Sequence, residues 1–262
     1  MKSFTFRQFE LRQSKEVFRV GTDGVLLGTS ATVAHASKVL EVGTGTGLIS
    51  LMLAQRNHQA EFLGIDINKE ATELTRLNFE NSPFASRMKN IHQDFKYFDT
   101  AERFDLIVSN PPYFETSDSE KDKIARQNVE LNFRQLISKS AGLLTGNGTF
   151  SVIIPVEAGI GFMQIAEEHS LKLTRRINIK GIETSGVKRL ILEFSLTKQP
   201  LSESEFIIEK VRGNTRTHIL NSPKSFMFFV NKIFYSNNSA VSNTETFPSS
   251  HRIASPGKFW IM

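Results

Sequence analysis

The stretch Val39–Leu48, VLEVGTGTGL, decides the fold of this chain. It joins an apolar run to a segment with helical periodicity through three alternating glycines, Gly43, Gly45 and Gly47. Glycine adopts positive φ without strain and lets the backbone approach a ligand that a Cβ would keep away. Such a turn between a strand and a helix is typical of nucleotide-binding α/β folds, so we predict a Rossmann-like unit here.

Outward from this turn, short apolar runs alternate with helix-period segments between residues 38 and 155. This order is typical of successive βα units and predicts an α/β fold with a mainly parallel sheet and helices on both faces. We expect the glycines of 146–148 to end one helix in a left-handed turn. The predicted core strands are 38–42, 60–65, 88–92, 104–109 and 149–154, the helices are 46–56, 69–81, 131–144 and 157–169, and the antiparallel C-terminal strands are 171–179, 187–197 and 206–211.

Acidic residues around the turn indicate which cofactor it would hold. The spacing G-x-G-x-G differs from the dinucleotide pattern G-x-G-x-x-G, and Glu41 lies two residues before the first glycine. A carboxylate there would attract the cationic, amino-bearing methionine part of S-adenosylmethionine and would repel a pyrophosphate. Asp66 lies at the end of the next strand, about 20 residues after the glycine turn, where an acidic residue binds ribose hydroxyls in such folds. Asp94 follows the third strand, where it could accept the adenine amino group.

We therefore predict S-adenosylmethionine as the cofactor, with the adenine ring flanked by an aromatic side chain. For Asp94 alone a helix N-cap is the simpler interpretation, but its register with the turn and with Asp66 favours the cofactor. The predicted contacts lie in the turn and at the ends of four strands: Glu41, Gly43, Thr44, Gly45, Gly47, Asp66, Ile67, Asp94, Phe95 and Asn110.

The segment Asn110–Tyr113, Asn-Pro-Pro-Tyr, leaves the C-terminal end of strand 104–109, where open α/β sheets bind their ligands. An exocyclic aromatic amine is a poor nucleophile because its lone pair is delocalised into the ring. The Asn110 side-chain carbonyl and the Pro111 carbonyl can accept its two N–H bonds, and Tyr113 offers a face for a stacked base. The predicted catalytic residues for transfer to a planar nitrogen are Asn110, Pro111, Pro112 and Tyr113.

Composition excludes several other kinds of site. The chain has 262 residues and no cysteine, which excludes disulfides and cysteine-based zinc or redox chemistry. Its six histidines show no metal-ligand spacing, and no apolar run approaches transmembrane length. We expect a cytoplasmic protein with no metal, no membrane segment and no obligate protein partner.

The net charge of +5 is concentrated in the C-terminal half. Lysines and arginines that neutralise phosphates release counterions, so this surplus favours a nucleic-acid partner. On composition alone, a solubilising surface explains the charge equally well. We predict contacts to nucleic acid from Arg175, Arg176, Lys188 and Arg189, followed in the same basic flank by Lys210, Arg212, Arg216 and Lys224.

These motifs together resemble class I methyltransferases of the small-domain type that methylate planar amino groups. The chain is most similar to the YfiC-type tRNA1(Val) adenine-N6-methyltransferases, through Phe6–Phe9, the sequence VGTDGVLLG at 20–28, Asn110–Phe114 and Ala125-Arg126. The resemblance implies S-adenosylmethionine-dependent methylation of N6 of adenine 37, next to the anticodon, in tRNA1(Val). It also implies that Thr22 and Asp23 close over the cofactor, and that Phe114 and Arg126 join Tyr113 in binding the RNA.

The resemblance covers roughly residues 4–212 and implies three parts of the chain. Residues 1–37 would be an N-terminal extension that closes over the cofactor site. Residues 38–212 would be the methyltransferase domain, with a mainly parallel seven-stranded sheet and antiparallel C-terminal strands. Residues 213–262 would be a C-terminal segment, in which the sequence after about Ser236 is rich in serine and asparagine and predicts a mobile tail. The chain departs from the family after about Thr217, where Ser225–Phe229 and this tail stand in place of the family's aromatic-rich C-terminal helix.

Other functions stay open at this stage. A glutamine N5-methyltransferase of a release factor also presents a planar nitrogen to Asn-Pro-Pro-Tyr, although about 37 residues before the first core strand are few for its helical substrate domain. Guanine N2 methylation of ribosomal RNA and adenine methylation of DNA use similar chemistry. A catalytically silent methyltransferase fold that only binds RNA is a further class. An NAD-dependent dehydrogenase would require a G-x-G-x-x-G turn that the sequence lacks.

Overall fold

Helices and strands alternate through the middle of the chain, as the hydrophobic pattern predicts. The computed structural model describes residues 2–6, 8–14, 17, 21–112, 133–212, 215–218 and 260–261. The strands are β1 (Lys2–Phe6), β2 (Glu10–Gln13), β3 (Lys38–Val42), β4 (Glu61–Asp66), β5 (Met88–His92), β6 (Phe104–Ser109), β7 (Leu144–Pro155), β8 (Lys172–Ile182), β9 (Val187–Ser195), β10 (Ser202–Arg212), β11 (Thr215–His218) and β12 (Trp260–Ile261). The α-helices are α1 (Thr22–Ser30), α2 (Leu48–Arg56), α3 (Lys69–Glu80), α4 (133–143) and α5 (Gly159–Glu168).

The large sheet has the strand order β11-β10-β8-β9-β7-β6-β3-β4-β5. Strands β3 to β7 pair in parallel, and β9 is antiparallel to both β7 and β8. These seven strands confirm the predicted mainly parallel sheet with antiparallel strands in its C-terminal part. Two more strands widen it. Strand β9 lies between β7 and β8, so the next strand, β10, can join the sheet only at the outer edge of β8. There β10 pairs with β8 in parallel, whereas we predicted an antiparallel strand.

Both faces of the sheet are covered, which explains why its central strands are nearly continuous apolar runs. Successive residues of β3 enter different clusters, Val39 with α1 and α2 on one face and Leu40 with α4 and α5 on the other. The second face contains an aromatic group in which the Phe162 ring lies 5.1 Å from that of Phe133 and 5.9 Å from that of Phe194, between centroids. The predicted placement of helices on both faces of the sheet is therefore confirmed.

The N-terminal residues pack onto the first face of the sheet. Phe6 and Leu11 are buried in the same cluster as Val39. The backbone of Arg12 exchanges two hydrogen bonds with the Asn78 side chain of α3, at 2.9 and 3.1 Å. One hydrophobic cluster therefore contains residues from both sides of the predicted boundary between residues 37 and 38. The boundary itself stays a prediction.

Two further regions are the glycines of 146–148, where the structure differs from the prediction, and the C-terminal tail. Strand β7 begins at Leu144, so the glycines of 146–148 lie inside a strand and have no positive φ. A Cβ at Gly148 would lie 2.8 Å from the Phe104 carbonyl oxygen, so this glycine allows close approach to β6 in place of the predicted left-handed turn. The predicted mobile tail lies outside the described residues except for β12, which pairs in parallel with β1.

Candidate active site

The glycine turn joins β3 to α2 at the carboxyl edge of the sheet. Gly43, Gly45 and Gly47 have φ of 75°, 59° and 80°, in the left-handed region that favours glycine. A Cβ added at Gly43 or Gly45 would meet no atom within 4 Å, whereas one at Gly47 would lie 2.6 Å from Phe79 Cε1. The first two glycines therefore border open space that a ligand can enter, and the third is required for packing against α3.

Asp66, the predicted ribose-binding acid, ends β4 beside this turn. Its Oδ2 accepts the Gly45 N–H at 2.8 Å, and its Oδ1 accepts the Asn68 N–H at 2.8 Å. From α3, the Thr75 hydroxyl donates to the Gly45 carbonyl at 2.8 Å. The turn is thus held by its neighbours on both sides, which reduces the reorganisation that ligand binding would require.

Ile67 follows Asp66 directly after β4, and Asp94 lies two residues after β5. Ile67 is 66% exposed, so its apolar side chain is available to a flat ring. Asp94 Oδ1 accepts the Lys96 N–H at 3.0 Å and caps the 3-10 turn Phe95–Tyr97, which confirms the N-cap interpretation. The Phe95 ring stacks on Phe98 with centroids 6.3 Å apart. Contact of Ile67, Asp94 and Phe95 with a cofactor stays a prediction.

Glu41 lies beneath the turn with 1% of its surface exposed. Its Oε2 accepts the backbone N–H of Ser50 at 2.9 Å and the Ser50 hydroxyl at 2.5 Å. Burial raises the pKa of Glu41 to about 8. The contacts of Glu41 with Ser50 give it a structural role in joining β3 to α2, which the sequence did not predict. Direct cofactor contact by Glu41 stays a prediction.

Helix α1 brings Thr22 and Asp23 to the same edge of the sheet. It runs alongside α2, since a Cβ added at Gly24 would lie 3.3 Å from Leu48 Cδ2, next to the glycine turn. Asp23 Oδ2 lies 3.0 Å from Arg189 Nε, which links the first turn of α1 to β9. This placement agrees with the predicted closure over the cofactor, which no contact tests.

Asn110 leaves β6 next to the glycine turn. Ser109 is paired with Val42 across the strands, and its hydroxyl donates to the Val42 carbonyl at 2.9 Å. The chain therefore enters Gly43 on one strand and Asn110 on the neighbouring one, about 5 Å away. Pro111 is buried and Pro112 exposed. Among the described residues no hydrogen bond involves the Asn110 side chain, so its carbonyl is available to a substrate.

Three of the predicted site residues, Tyr113, Phe114 and Arg126, lie outside the described residues. Three positioning residues were missed by the sequence reasoning: Ser50, Thr75 and Ser109. Only Ser109 carried a signal, as the one polar residue at the end of a buried apolar strand, directly before Asn110.

Most of the predicted nucleic-acid contacts are occupied within the protein. Arg175 Nη1 donates to the Ser30 carbonyl at 2.8 Å and lies 3.4 Å from buried Glu193. Arg176 pairs with Glu203 at 2.5 Å, and Arg189 pairs with Asp23. Lys188 is exposed and has no ion pair within the described part of the chain. Contact of these four cations with RNA stays a prediction, and internal pairing counts against it for Arg175 and Arg176.

Neither a metal centre nor a membrane element is found in the part of the chain that the structure describes. There, no three His, Asp or Glu side chains come together in a way that could hold a metal ion. Within the same ranges, every helix is too short or too polar to cross a membrane.

Comparison with known proteins agrees with this geometry. Residues 14–168 match the family model described as methyltransferase small domain, a span that includes the glycine turn, Asp66 and Asn110. The chain belongs to this methyltransferase family. A tRNA1(Val) (adenine(37)-N6)-methyltransferase of Flavobacteriaceae bacterium strain 3519-10 is 54% identical to it over 211 residues, covering 80% of this chain and 91% of that protein. The enzyme of the same name from Bacteroides thetaiotaomicron is 37% identical over 213 residues, covering 80% and 90%.

Solved structures share the fold of this methyltransferase. A protein described as a predicted O-methyltransferase from Agrobacterium tumefaciens superposes with a TM-score of 0.58 at 16% identity, covering 75% of this chain and 92% of that one. A methyltransferase from Pyrococcus furiosus gives a TM-score of 0.56 at 18% identity, covering 72% and 90%. At these identities the likeness concerns the fold alone, and it confirms the predicted class I methyltransferase fold.

Proposed function

We propose that this methyltransferase transfers the methyl group of S-adenosylmethionine to the exocyclic N6 of an adenine in tRNA, with adenine 37 of tRNA1(Val) as the target. The observation that carries the proposal is the juxtaposition of Asn110 with the glycine turn at the ends of adjacent strands. The 54% identity to an enzyme named for that reaction supports the choice of substrate.

The residues at the carboxyl edge fit S-adenosylmethionine. Open space at Gly43 and Gly45 admits the methionine part close to the backbone. Asp66 stands where a carboxylate accepts ribose hydroxyls, and the exposed Ile67 follows it where a flat adenine ring can rest. When bound, this cofactor supplies an electrophilic methyl group on a sulfonium.

Asn110 and Pro111 would activate the amine by accepting its two N–H bonds. This localises the nitrogen lone pair and aims it at the methyl group, a task for positioned acceptors. The proton leaves the nitrogen only after methylation, when the nitrogen is cationic and acidic, so no strong general base is required. Two consecutive prolines hold the backbone φ on either side of the Pro111 carbonyl, which limits its movement.

The RNA would stack its extruded base on Tyr113, with Phe114 and Arg126 nearby, as the family resemblance implies. By the strand register Lys188 and Arg189 lie towards the same edge of the sheet as Asn110, and they would contact phosphates, Arg189 while it is paired with Asp23. Because the proposed substrate is tRNA, we expect the enzyme to work in the cytoplasm. We also expect it to work without a metal, because the proposed transfer depends on positioned acceptors.

The decisive experiment offers labelled S-adenosylmethionine and the full chain to total tRNA, ribosomal RNA, DNA and a release factor, followed by nucleoside or peptide analysis. We expect label in N6-methyladenosine of tRNA. Label in N2-methylguanosine or in methylated glutamine would overturn the proposed substrate.

Replacing Asn110 by alanine tests the mechanism. Loss of one aligned hydrogen-bond partner of the reacting group should lower kcat on the order of 100-fold while the cofactor affinity stays within about twofold. The matched control is Asn81→Ala at the exposed C-terminal end of α3. Near-normal turnover by Asn110→Ala would refute the mechanism.

A further inference from the structure

An ion pair joins the first turn of α1 to β9 at the carboxyl edge of the sheet. Arg189 Nε donates to Asp23 Oδ2 at 3.0 Å. The side chains of Arg189 and Asp23 are only 25% and 18% exposed, whereas the surface pair Lys38–Glu102 leaves its side chains 43% and 57% exposed. A pair withdrawn this far from water keeps a defined geometry, so it fixes where the Arg189 guanidinium lies.

The guanidinium of Arg189 is held at a second point as well. Its Nη1 donates to the Lys188 carbonyl at 3.0 Å. The first turn of a helix carries a partial positive charge, which attracts an acid and repels a cation. Asp23 lies in that turn of α1, so its carboxylate is what allows Arg189 to lie there. Without Asp23, the positive end of the helix would push the cation away.

Helix α1 is itself placed by close packing on α2. A Cβ at Gly24 would lie 3.3 Å from Leu48 Cδ2. One turn further along both helices, a Cβ at Gly28 would lie 2.8 Å from Met52 Sδ. The two contacts advance together, so α1 and α2 run parallel and their first turns lie side by side. Because α2 begins directly after the glycine turn, this packing puts Asp23 beside that turn.

The strand register places Arg189 close to the reacting end of β6. Ser109 pairs with Val152 of β7. Three residues further along β7, Pro155 pairs with Arg189 of β9. Arg189 therefore lies about 10 Å beyond Ser109 along the strands and, two strand spacings away, about 10 Å to one side. Asn110 directly follows Ser109, so the ion pair stands beside the acceptor of the proposed reaction.

Arg189 and the end of β6 also share a face of the sheet. Alternate residues of a strand point to the same side. Ile191, two residues after Arg189, and Val108, two residues before Asn110, are both buried in the cluster that α1 and α2 cover. The strand order β9-β7-β6-β3 leaves Asn110 between Arg189 on one side and the glycine turn on the other. A substrate at Asn110 would thus meet Arg189 on the side away from the cofactor space.

We propose that Asp23 is a positioning residue for Arg189: through their ion pair, α1 holds the Arg189 guanidinium beside Asn110 for an RNA phosphate next to the target base. This rests on the proposed function and adds to it a role for Asp23 in RNA binding. Arginine has five N–H donors in a fixed fork, so one that is paired with a carboxylate can also donate to a phosphate. Fixing it before binding spares the entropy that a long, flexible side chain otherwise loses.

Three roles for Asp23 predict different effects on RNA binding. If Asp23 only neutralised Arg189, removing the carboxylate would add positive charge and tighten RNA binding. If Asp23 only closed over the cofactor, its removal would weaken the binding of S-adenosylmethionine and leave RNA binding unchanged. If Asp23 positions Arg189, its removal weakens RNA binding although the protein becomes more positive.

The test measures binding of fluorescently labelled tRNA1(Val) to the full chain at several salt concentrations, in the absence of S-adenosylmethionine. It compares D23A with D23N, because asparagine keeps an acceptor for Arg189 Nε but has no charge. R189Q and the double variant D23A/R189Q show whether Asp23 acts through Arg189. The matched control is E102A, which removes the acid of the Lys38 pair at the opposite edge of the sheet and changes the charge equally. Thermal unfolding and cofactor affinity are measured for each variant.

We expect D23A to bind the tRNA about 3- to 10-fold more weakly than wild type at about 0.15 M salt, and D23N to recover most of that loss. R189Q should lower the slope of log K against log salt by about 0.7 to 0.9, the value of one phosphate contact. The double variant should bind no more than about twofold more weakly than R189Q alone. E102A should bind at least as tightly as wild type.

Binding of tRNA by D23A that equals or exceeds that of wild type overturns the proposal, even where D23A lowers the thermal stability. Additive losses in the double variant also overturn it, since Asp23 would then act independently of Arg189. If D23A does not fold, R189K makes the same comparison, because lysine keeps the charge but lacks the fork that Asp23 orients. R189K should bind about 3- to 10-fold more weakly, and wild-type affinity of R189K overturns the proposal.

Methylation by the wild-type protein separates this proposal from the proposed function. If wild type methylates tRNA and D23A binds it as tightly as wild type, the positioning role fails and the function stands. If wild type binds tRNA without methylating it, and D23A shows the expected loss, the function fails and the positioning role stands. Wild-type protein that binds no tRNA overturns both.

Discussion

Alanine at Gly47 and at Gly45 should have different consequences, although both glycines have positive φ. At Gly45, with φ of 59°, the added Cβ would meet no atom within 4 Å. At Gly47, with φ of 80°, it would lie 2.6 Å from Cε1 of Phe79, a buried residue of α3. The pair therefore separates backbone strain from packing strain in one turn.

The expected magnitudes follow from these contacts. A left-handed backbone costs a residue with a Cβ about 1 to 2 kcal/mol, and this is the whole expected loss for Gly45→Ala. Forcing a methyl group into a filled core costs about 1 to 3 kcal/mol more, so Gly47→Ala should lose about 2 to 5 kcal/mol of unfolding free energy. For cofactor affinity the order reverses, because only the Gly45 methyl would project into the open space.

Urea unfolding of the cofactor-free protein measures the first quantity, and calorimetry with S-adenosylmethionine measures the second. We expect Gly45→Ala to bind at least about tenfold more weakly, the loss of about 1.4 kcal/mol. Equal destabilisation by the two variants would refute the packing argument, and wild-type affinity of Gly45→Ala would refute the assignment of the cofactor space.

Three further predictions concern acids. Because the folded pKa of Glu41, about 8, lies above its ordinary value of 4.5, folding takes up a proton between these values. Wild type should thus lose stability relative to Glu41→Gln between about pH 5 and pH 8; parallel urea midpoints would contradict this. Glu193→Ala removes the acceptor of two Thr32 hydrogen bonds and should cost about 3 kcal/mol, against less than about 1 for exposed Glu167→Ala. Asp66→Asn should weaken S-adenosylmethionine binding on the order of 10-fold by calorimetry, with less than about 1.5 kcal/mol lost in unfolding; unchanged affinity would remove Asp66 from the cofactor site.

The sequence predicted the central strands almost to the residue. Strands 38–42 and 104–109 have the bounds of β3 and β6, because buried parallel strands are apolar on both faces and stand out between polar helix ends. Strand 88–92 also has the bounds of β5, although β5 is a partly exposed edge strand with the sequence MKNIH. The extended residues of β1 and β2 were not predicted, since short strands outside the main sheet lack such a run. Gly146–Gly148 misled us because glycine signals a left-handed turn and a close backbone approach equally well.

The candidate site was predicted as a set of residues, without the contacts among them. Spacing relative to strands placed Gly43, Asp66 and Asn110 at one edge, because parallel strands end on the same side. Their supports could not be foreseen, since Ser50, Thr75 and Ser109 are ordinary polar residues until the fold brings each to its acceptor.

By itself, therefore, the sequence determined the order of strands and helices, the glycine turn and the chemistry of Asn-Pro-Pro-Tyr, all of which depend on local pattern. Only the tertiary structure decided that Glu41 is buried under the turn, that Asp23 pairs with Arg189, and which cations are neutralised. The physical reason is that a charge's surroundings depend on strand register, and register joins residues far apart in the chain.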